Sequence, residues 1–186
     1  MIIWVIIAIV VVFLFYLIVI YNGLVSLKNR TQEAWSDIDV QLKRRYDLIP
    51  NLVNAVKGYA KHEKSVFEKV TEARSAAISA KGMKEQSKAE NMLTDALKSV
   101  FAVAENYPDL KSNQNFLNLQ DQLTETENKI EASRRFYNAN VRDYNIKIQS
   151  FPSSIVANTF KFDEKELFEV EKQDKEAVKS APKIEF

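Results

Sequence analysis

The first charged side chain in this sequence is Lys28. Before it, Ile2 to Tyr21 reads IIWVIIAIVVVFLFYLIVIY. A helix of about 20 such residues rises roughly 30 Å, the thickness of a bilayer's hydrocarbon core. Apolar side chains on every face exclude an ordinary amphipathic surface helix. A cleaved leader wants a basic start, a shorter apolar stretch and a small-residue cleavage site, and none of these is present. Residues 1–21 therefore read as a membrane anchor, with Trp4 and Tyr21 at its two interfaces, where amphipathic rings settle. Lys28, Arg30, Lys43, Arg44 and Arg45 all lie beyond the span, so the positive-inside bias expects a single pass with the N-terminus outside and a cytoplasmic body.

The chain beyond the anchor is expected to be all-α. Three glycines and four prolines in 186 residues are too few for the turns of a β-rich chain. No cysteine and one histidine remove disulfides, thiolate nucleophiles and thiolate zinc sites. A net charge of +1 leaves no basic footprint for nucleic acid.

From Leu24 to about Lys61, Trp35, Ile38, Leu42, Arg45, Ile49, Leu52, Val56 and Tyr59 recur at steps of three and four, the seam of helices packed at a shallow angle. Pro50 lies inside this helix, denies the Tyr46 carbonyl its hydrogen bond, and is expected to bend it. A second helix is expected over Glu63–Ala80, with Val66, Phe67, Val70, Ala73, Ala77 and Ile78 inward, closed by Lys81-Gly82. A third, Ser87–Glu105, would bury Met92, Leu93, Ala96, Val100 and Val103. The fourth, Asp109 to about Ser150, places Phe116, Leu123, Ile130, Tyr137, Tyr144 and Phe151 at intervals of seven. The expectation is an elongated antiparallel bundle of two long and two shorter helices over 22–152. A membrane-proximal segment and charged tail would occupy 153–186, mobile from Gln173 on.

Catalytic constellations are hard to find. His62-Glu63 lacks the second histidine of H-E-x-x-H, since Val66 stands in its place. Asp37 and Asp39, two apart on a helix, diverge and do not clasp one ion. Lys43-Arg44-Arg45 lies some fifteen residues beyond the charge-free stretch, too far for a lipid-binding basic cluster at the membrane surface. These features read as solvated or structural, and neither metal nor cofactor is expected.

The stretch YNGLVSLKNRTQEAWSDIDVQLKRRYDLIPNLVNAVKGYAKHE resembles the LemA family of bacterial and archaeal membrane proteins. LQDQLTETENKIEASRRFYNANVRDYNIKIQSFPSSIVA is similar to that family's second signature, with Ser133-Arg134 where Ala-Arg is usual. The resemblance implies an N-terminal anchor and a helical body without a known enzymatic activity, often in gene neighbourhoods with membrane proteases. A non-enzymatic scaffold or assembly protein of the prokaryotic cell envelope is therefore expected. An adaptor presenting its bundle to a membrane protease or its substrates is the alternative.

One charge on each long seam suggests the register. If the helices run antiparallel with Arg45 opposite Glu127, then Trp35 meets Tyr137, Leu42 meets Ile130, Ile49 meets Leu123 and Val56 meets Phe116. Arg134 falls level with Ile38, within reach of Asp37 or Asp39, and Phe151 returns to the level of Tyr21. Tyr137, Asn138, Asn140, Tyr144 and Asn145 exceed what one seam buries and would form an interaction face for a second copy, making a homo-oligomer.

Overall fold

The computed structural model describes residues 1–168, which form six α-helices and no strand. The expected tail from Gln173 lies outside the described residues. The helices are α1 (Ile2–Lys57), α2 (Lys64–Ser79), α3 (Met83–Glu105), α4 (Pro108–Lys111), α5 (Gln114–Gln149) and α6 (Ser153–Thr159). They divide between two compact units. One holds Met1–Asp39 with Ala132–Leu167, and the other Val40–Glu131 with Phe168.

In the first unit, the side chains from Met1 to Tyr16 are all exposed. Burying one large apolar side chain is worth about 1.5–3 kcal/mol, so more than a dozen on a bare helix suit a non-aqueous surround. This helix is long and apolar enough to cross a membrane. Packing begins at Ile20 and Leu24, which share a core with Tyr144, Ile148, Val156 and Ala157. Further along, the rings of Trp35 and Tyr137 meet edge to face at 5.7 Å. The two segments are antiparallel, because rising numbers on α1 meet falling numbers on α5.

The second unit buries one continuous core from α1, α2, α3, α4 and α5, including Ile49, Leu52, Val56, Phe67, Val70, Leu93, Val100, Leu110, Phe116 and Leu123. α2 and α3 pack on each other as a helical hairpin. Gly82 turns between them at φ 81°, a left-handed value that a side chain would strain. α3 starts four residues before the expected Ser87. Its buried stripe is Glu90, Leu93, Leu97, Val100 and Ala104, while Met92 is exposed. An apolar count misses that stripe because a glutamate belongs to it. Ile78 of α2, expected inward, is also exposed.

The long fourth helix expected from the sequence is two helices. α4 ends at Lys111, and Asn113 caps α5 by accepting hydrogen bonds from the N–H groups of Asn115 and Phe116 at 2.9 and 3.2 Å. At its far end Phe151 leaves the heptad seam and is 82% exposed, because α5 stops at Gln149 ahead of Pro152.

α1 continues through Pro50. Proline has no N–H for the Tyr46 carbonyl. Arg74 of α2 supplies the missing donor, its Nε lying 2.8 Å from that oxygen. The gap in one helix thus becomes a fastening point for another. Arg74→Ala should cost about 1–2 kcal/mol in the native background. In a Pro50→Ala chain, residue 50 can serve the carbonyl itself, and the same substitution should cost clearly less, a coupling of about 1 kcal/mol. Guanidinium unfolding of the detergent-solubilised chain, followed by circular dichroism, reads the cycle. Equal losses in both backgrounds would exclude the substitution of donors.

Candidate functional site

The largest buried polar side chain among the described residues is Arg45, 2% exposed on the inner face of α1. A guanidinium stripped of water is tolerated only if its donors are met. Its Nη1 lies 3.3 Å from Glu90 Oε2 and 3.1 Å from Glu127 Oε2, and its Nη2 donates to Thr94 Oγ1 at 2.6 Å. The sequence pattern pointed to Glu127 as the counter-charge. The structure adds Glu90, which is wholly buried, whereas Glu127 is 42% exposed.

Glu90's second oxygen is equally occupied. It accepts the Tyr46 hydroxyl and, at 2.9 Å, the Gln86 amide. The same amide donates to the Tyr46 oxygen at 3.0 Å and to the Ala77 carbonyl at 3.2 Å. Burial, then the Glu90 carboxylate, pushes the Tyr46 phenol far above its ordinary value of 10.0. Arg45, Tyr46, Gln86, Glu90, Thr94 and Glu127 thus form one polar knot joining α1, α3 and α5. Outside it, Arg44 faces Glu125 at 3.6 Å with both groups near half exposed. Lys129, by hydrogen bond and charge, and Arg44 hold that carboxyl below its usual range. Exposed pairs of this kind add little stability.

Around α5 in the first unit, a second set of polar groups reads main chain. Tyr137 donates to the Glu166 carbonyl and Tyr144 to the Asp163 carbonyl, each at 3.0 Å. Asn145 takes Lys165 at both ends, accepting its N–H at 3.0 Å and donating to its carbonyl at 2.9 Å. Gln149 donates to the Glu164 carboxylate at 2.6 Å. Residues 163–166 lie along α5 as a strap held mainly by main-chain hydrogen bonds. Burial, with Glu166 and Asp163 nearby, raises the Tyr137 and Tyr144 phenols. Three of the five side chains expected to face a second chain are therefore occupied within this one. A polar aromatic surplus on a helix cannot tell a partner in another chain from a partner thirty residues downstream. Asn140 spends its amide on the Phe136 carbonyl, and Asn138 is half-buried.

Arg134 is half-buried, whereas Asp37 and Asp39 are exposed. Trp4 is exposed on the bare stretch of α1, and Tyr21 meets the rings of Phe160 and Phe162 at 4.8 and 5.8 Å. His62 is exposed. Among the described residues no group of three or more His, Asp or Glu is placed to hold a metal ion. An open groove of about 860 Å³ is lined by Lys57, Lys61, Lys64, Phe67, Glu68 and Glu72, with Lys57 over the Phe67 ring. Its mixed charges single out no reacting group.

Glu90→Gln should leave Arg45 with one half-solvated counter-charge and cost roughly 3 kcal/mol, the low end for breaking a buried pair. Glu127→Gln, at the wet end of the knot, should cost under about 1 kcal/mol. Guanidinium midpoints compare them, and the reverse order would place the knot's weight elsewhere.

Alkaline pH gives a separate readout. A phenol whose folded pKa is raised contributes stability that is complete below about pH 10 and lost as pH climbs further, because the unfolded chain releases that proton first. Melting temperatures of a Tyr46→Phe chain should therefore fall less steeply than wild type above pH 10. Parallel slopes would show that Tyr46 does not stay protonated in the fold.

The LemA family profile matches residues 34–186. Among similar proteins, magnetosome protein MamQ 2 of Paramagnetospirillum magneticum is 28% identical, over 86% of this chain and 68% of its own length. Magnetosome protein MamQ of Magnetospirillum gryphiswaldense is 25% identical, over 85% and 68%. Protein LemA of Metamycoplasma hominis is 28% identical, over 73% and 63%. With a profile match across most of its length, a bare apolar helix at its start and an all-α body behind it, this chain belongs to the LemA family.

Proposed function

We propose that the chain is a single-pass, non-enzymatic scaffold of the prokaryotic cell envelope, with its N-terminus outside, its body in the cytoplasm, and assembly through copies of itself. The observation that carries this reading is α1: one unbroken helix holds both the lipid-facing stretch and the seam residues Ile38, Leu42, Arg45 and Ile49. Within the first unit the apolar stretch thereby runs on without a break into Ile20, Leu24 and Ile38, which are packed. The polar knot supports the same reading, since its groups are spent on one another and hold helices in place. Relatives named as magnetosome proteins suit a part in building a cell structure better than turnover of a metabolite. An adaptor that offers its helices to a membrane protease is the second reading, favoured by the way α5 holds an extended segment by its main chain.

Light scattering of the full-length chain in detergent should give a mass of several copies. Removal of Ile2–Tyr21 should leave a helical body in the supernatant after a high-salt wash. A monomer mass would sink the scaffold, and a truncated body that still sediments would sink the anchor.

A further inference from the structure

Sequence and packing together place a second apolar surface beside the anchor. Between Lys147 and Lys161 the chain carries no charge. That stretch forms the end of α5, the elbow at Phe151-Pro152 and α6. Ile148 and Val156 turn inward, but Phe151, Ile155 and Phe160 are all exposed. In water such a cluster has no reason to stay uncovered.

The elbow's position relative to the anchor resolves this. Tyr16, Ile20 and Leu27 of α1 line one groove together with Ile146, Phe151 and Pro152, and the charged Asp143 and Lys147 share it. Phe160 lies 4.8 Å from Tyr21, ring to ring. Tyr16 and Ile20 belong to the charge-free stretch, and Tyr16 sits about 7–8 Å deeper than Tyr21 at the rise of an α-helix. Side chains level with Tyr16 share its surroundings. If α1 is in lipid there, so is the elbow.

The local polar chemistry agrees with a poorly hydrated site. Ser150 Oγ donates to the Ile146 carbonyl at 2.7 Å. Ser153 Oγ is 2.6 Å from the Lys147 carbonyl, and Thr159 Oγ1 donates to the Ile155 carbonyl at 2.8 Å. These hydroxyls need no water. The flanking cations suit the headgroup layer, where long amphipathic side chains keep the ammonium wet and the stem in apolar surroundings. Lys28 lies over the Phe162 ring at 5.8 Å, and Lys147 and Lys161 bound the charge-free run.

We infer that the α5–α6 elbow is a second membrane contact, with Phe151, Ile155 and Phe160 seated in the boundary between lipid headgroups and acyl chains. Its partner is the phospholipid bilayer itself. Such interfacial elements insert roughly 5–10 Å, a depth that matches the level of Tyr16 to Tyr21. The inference rests on the anchoring proposed above, and its consequence is that the body touches the membrane at two places, one spanning and one lying on the surface.

The absence of native cysteine makes the test direct. Single cysteines replace Phe151, Ile155, Phe136 and Val12 in separate full-length chains, each labelled with a small environment-sensitive fluorophore. Each is reconstituted into phosphatidylcholine vesicles brominated near the top of the acyl chains. Val12 reports the span, and Phe136 is an exposed apolar position of α5 outside the elbow. Labels at 151 and 155 should be quenched at least roughly two-fold, as at Val12, with Phe136 unchanged. Quenching at Val12 with 151 and 155 behaving like 136 would overturn the elbow contact and leave the anchor standing. No quenching at Val12 would overturn the anchor and this inference with it.

Discussion

A dehydrated guanidinium decides much of the second unit. Arg45 sits where the seam of α1 otherwise carries Leu42, Ile49 and Leu52, and an unmet charge there would remove a large part of a typical domain's stability. Its partners are therefore a geometric requirement. Glu90 must come from α3, Thr94 one turn later, and Glu127 from α5. Once Glu90 is buried it brings requirements of its own, met by Tyr46 and Gln86, and Gln86 reaches on to the Ala77 carbonyl of α2. Apolar packing tolerates sliding and rotation. A chain of directional polar contacts does not, and this one touches α1, α2, α3 and α5.

Pro50 and Arg74 show the same logic at smaller scale. A proline inside a helix leaves an orphan carbonyl, and burial makes orphans expensive. Supplying the donor from α2 turns a local defect into a tertiary contact. Tyr137, Tyr144 and Asn145 do the converse for residues 163–166, a non-helical segment whose main-chain groups they meet. Because those bonds reach mainly main-chain atoms, the strap's position depends on α5 more than on the strap's own side chains.

On the anchoring proposed above, the first unit answers to a different solvent. Its apolar side chains on α1 and at the elbow face outward, which is unfavourable in water and favourable in hydrocarbon. The inner Ile20, Leu24, Tyr144 and Ile148 pack as in any soluble bundle. On the anchoring and elbow contact proposed above, one small unit carries both a core and a lipid-facing exterior.

The chain's order of residues by itself determined the all-α class, the long apolar stretch of α1 and the break at Gly82, because these depend on local propensity and periodicity. The levels of the two long helices were legible too: Arg45 and Glu127, Trp35 and Tyr137 lie at matched heptad positions and are in contact. Other features hang on which side chain finds which partner in three dimensions. Glu90 sits among polar neighbours in the sequence, and nothing local marks it as a buried anion. The rotation of α3, with Leu97 inward and Met92 outward, follows from Glu90 and was hidden for the same reason. The split at Ser112-Asn113 needed the Asn113 cap, and α6 is too short for periodicity to reveal. The polar face of α5 could be seen, but only the fold gave it to residues 163–166. Sequence periodicity specifies which faces must be covered; the cover itself is chosen by long-range geometry and by the cost of leaving a polar group unmet.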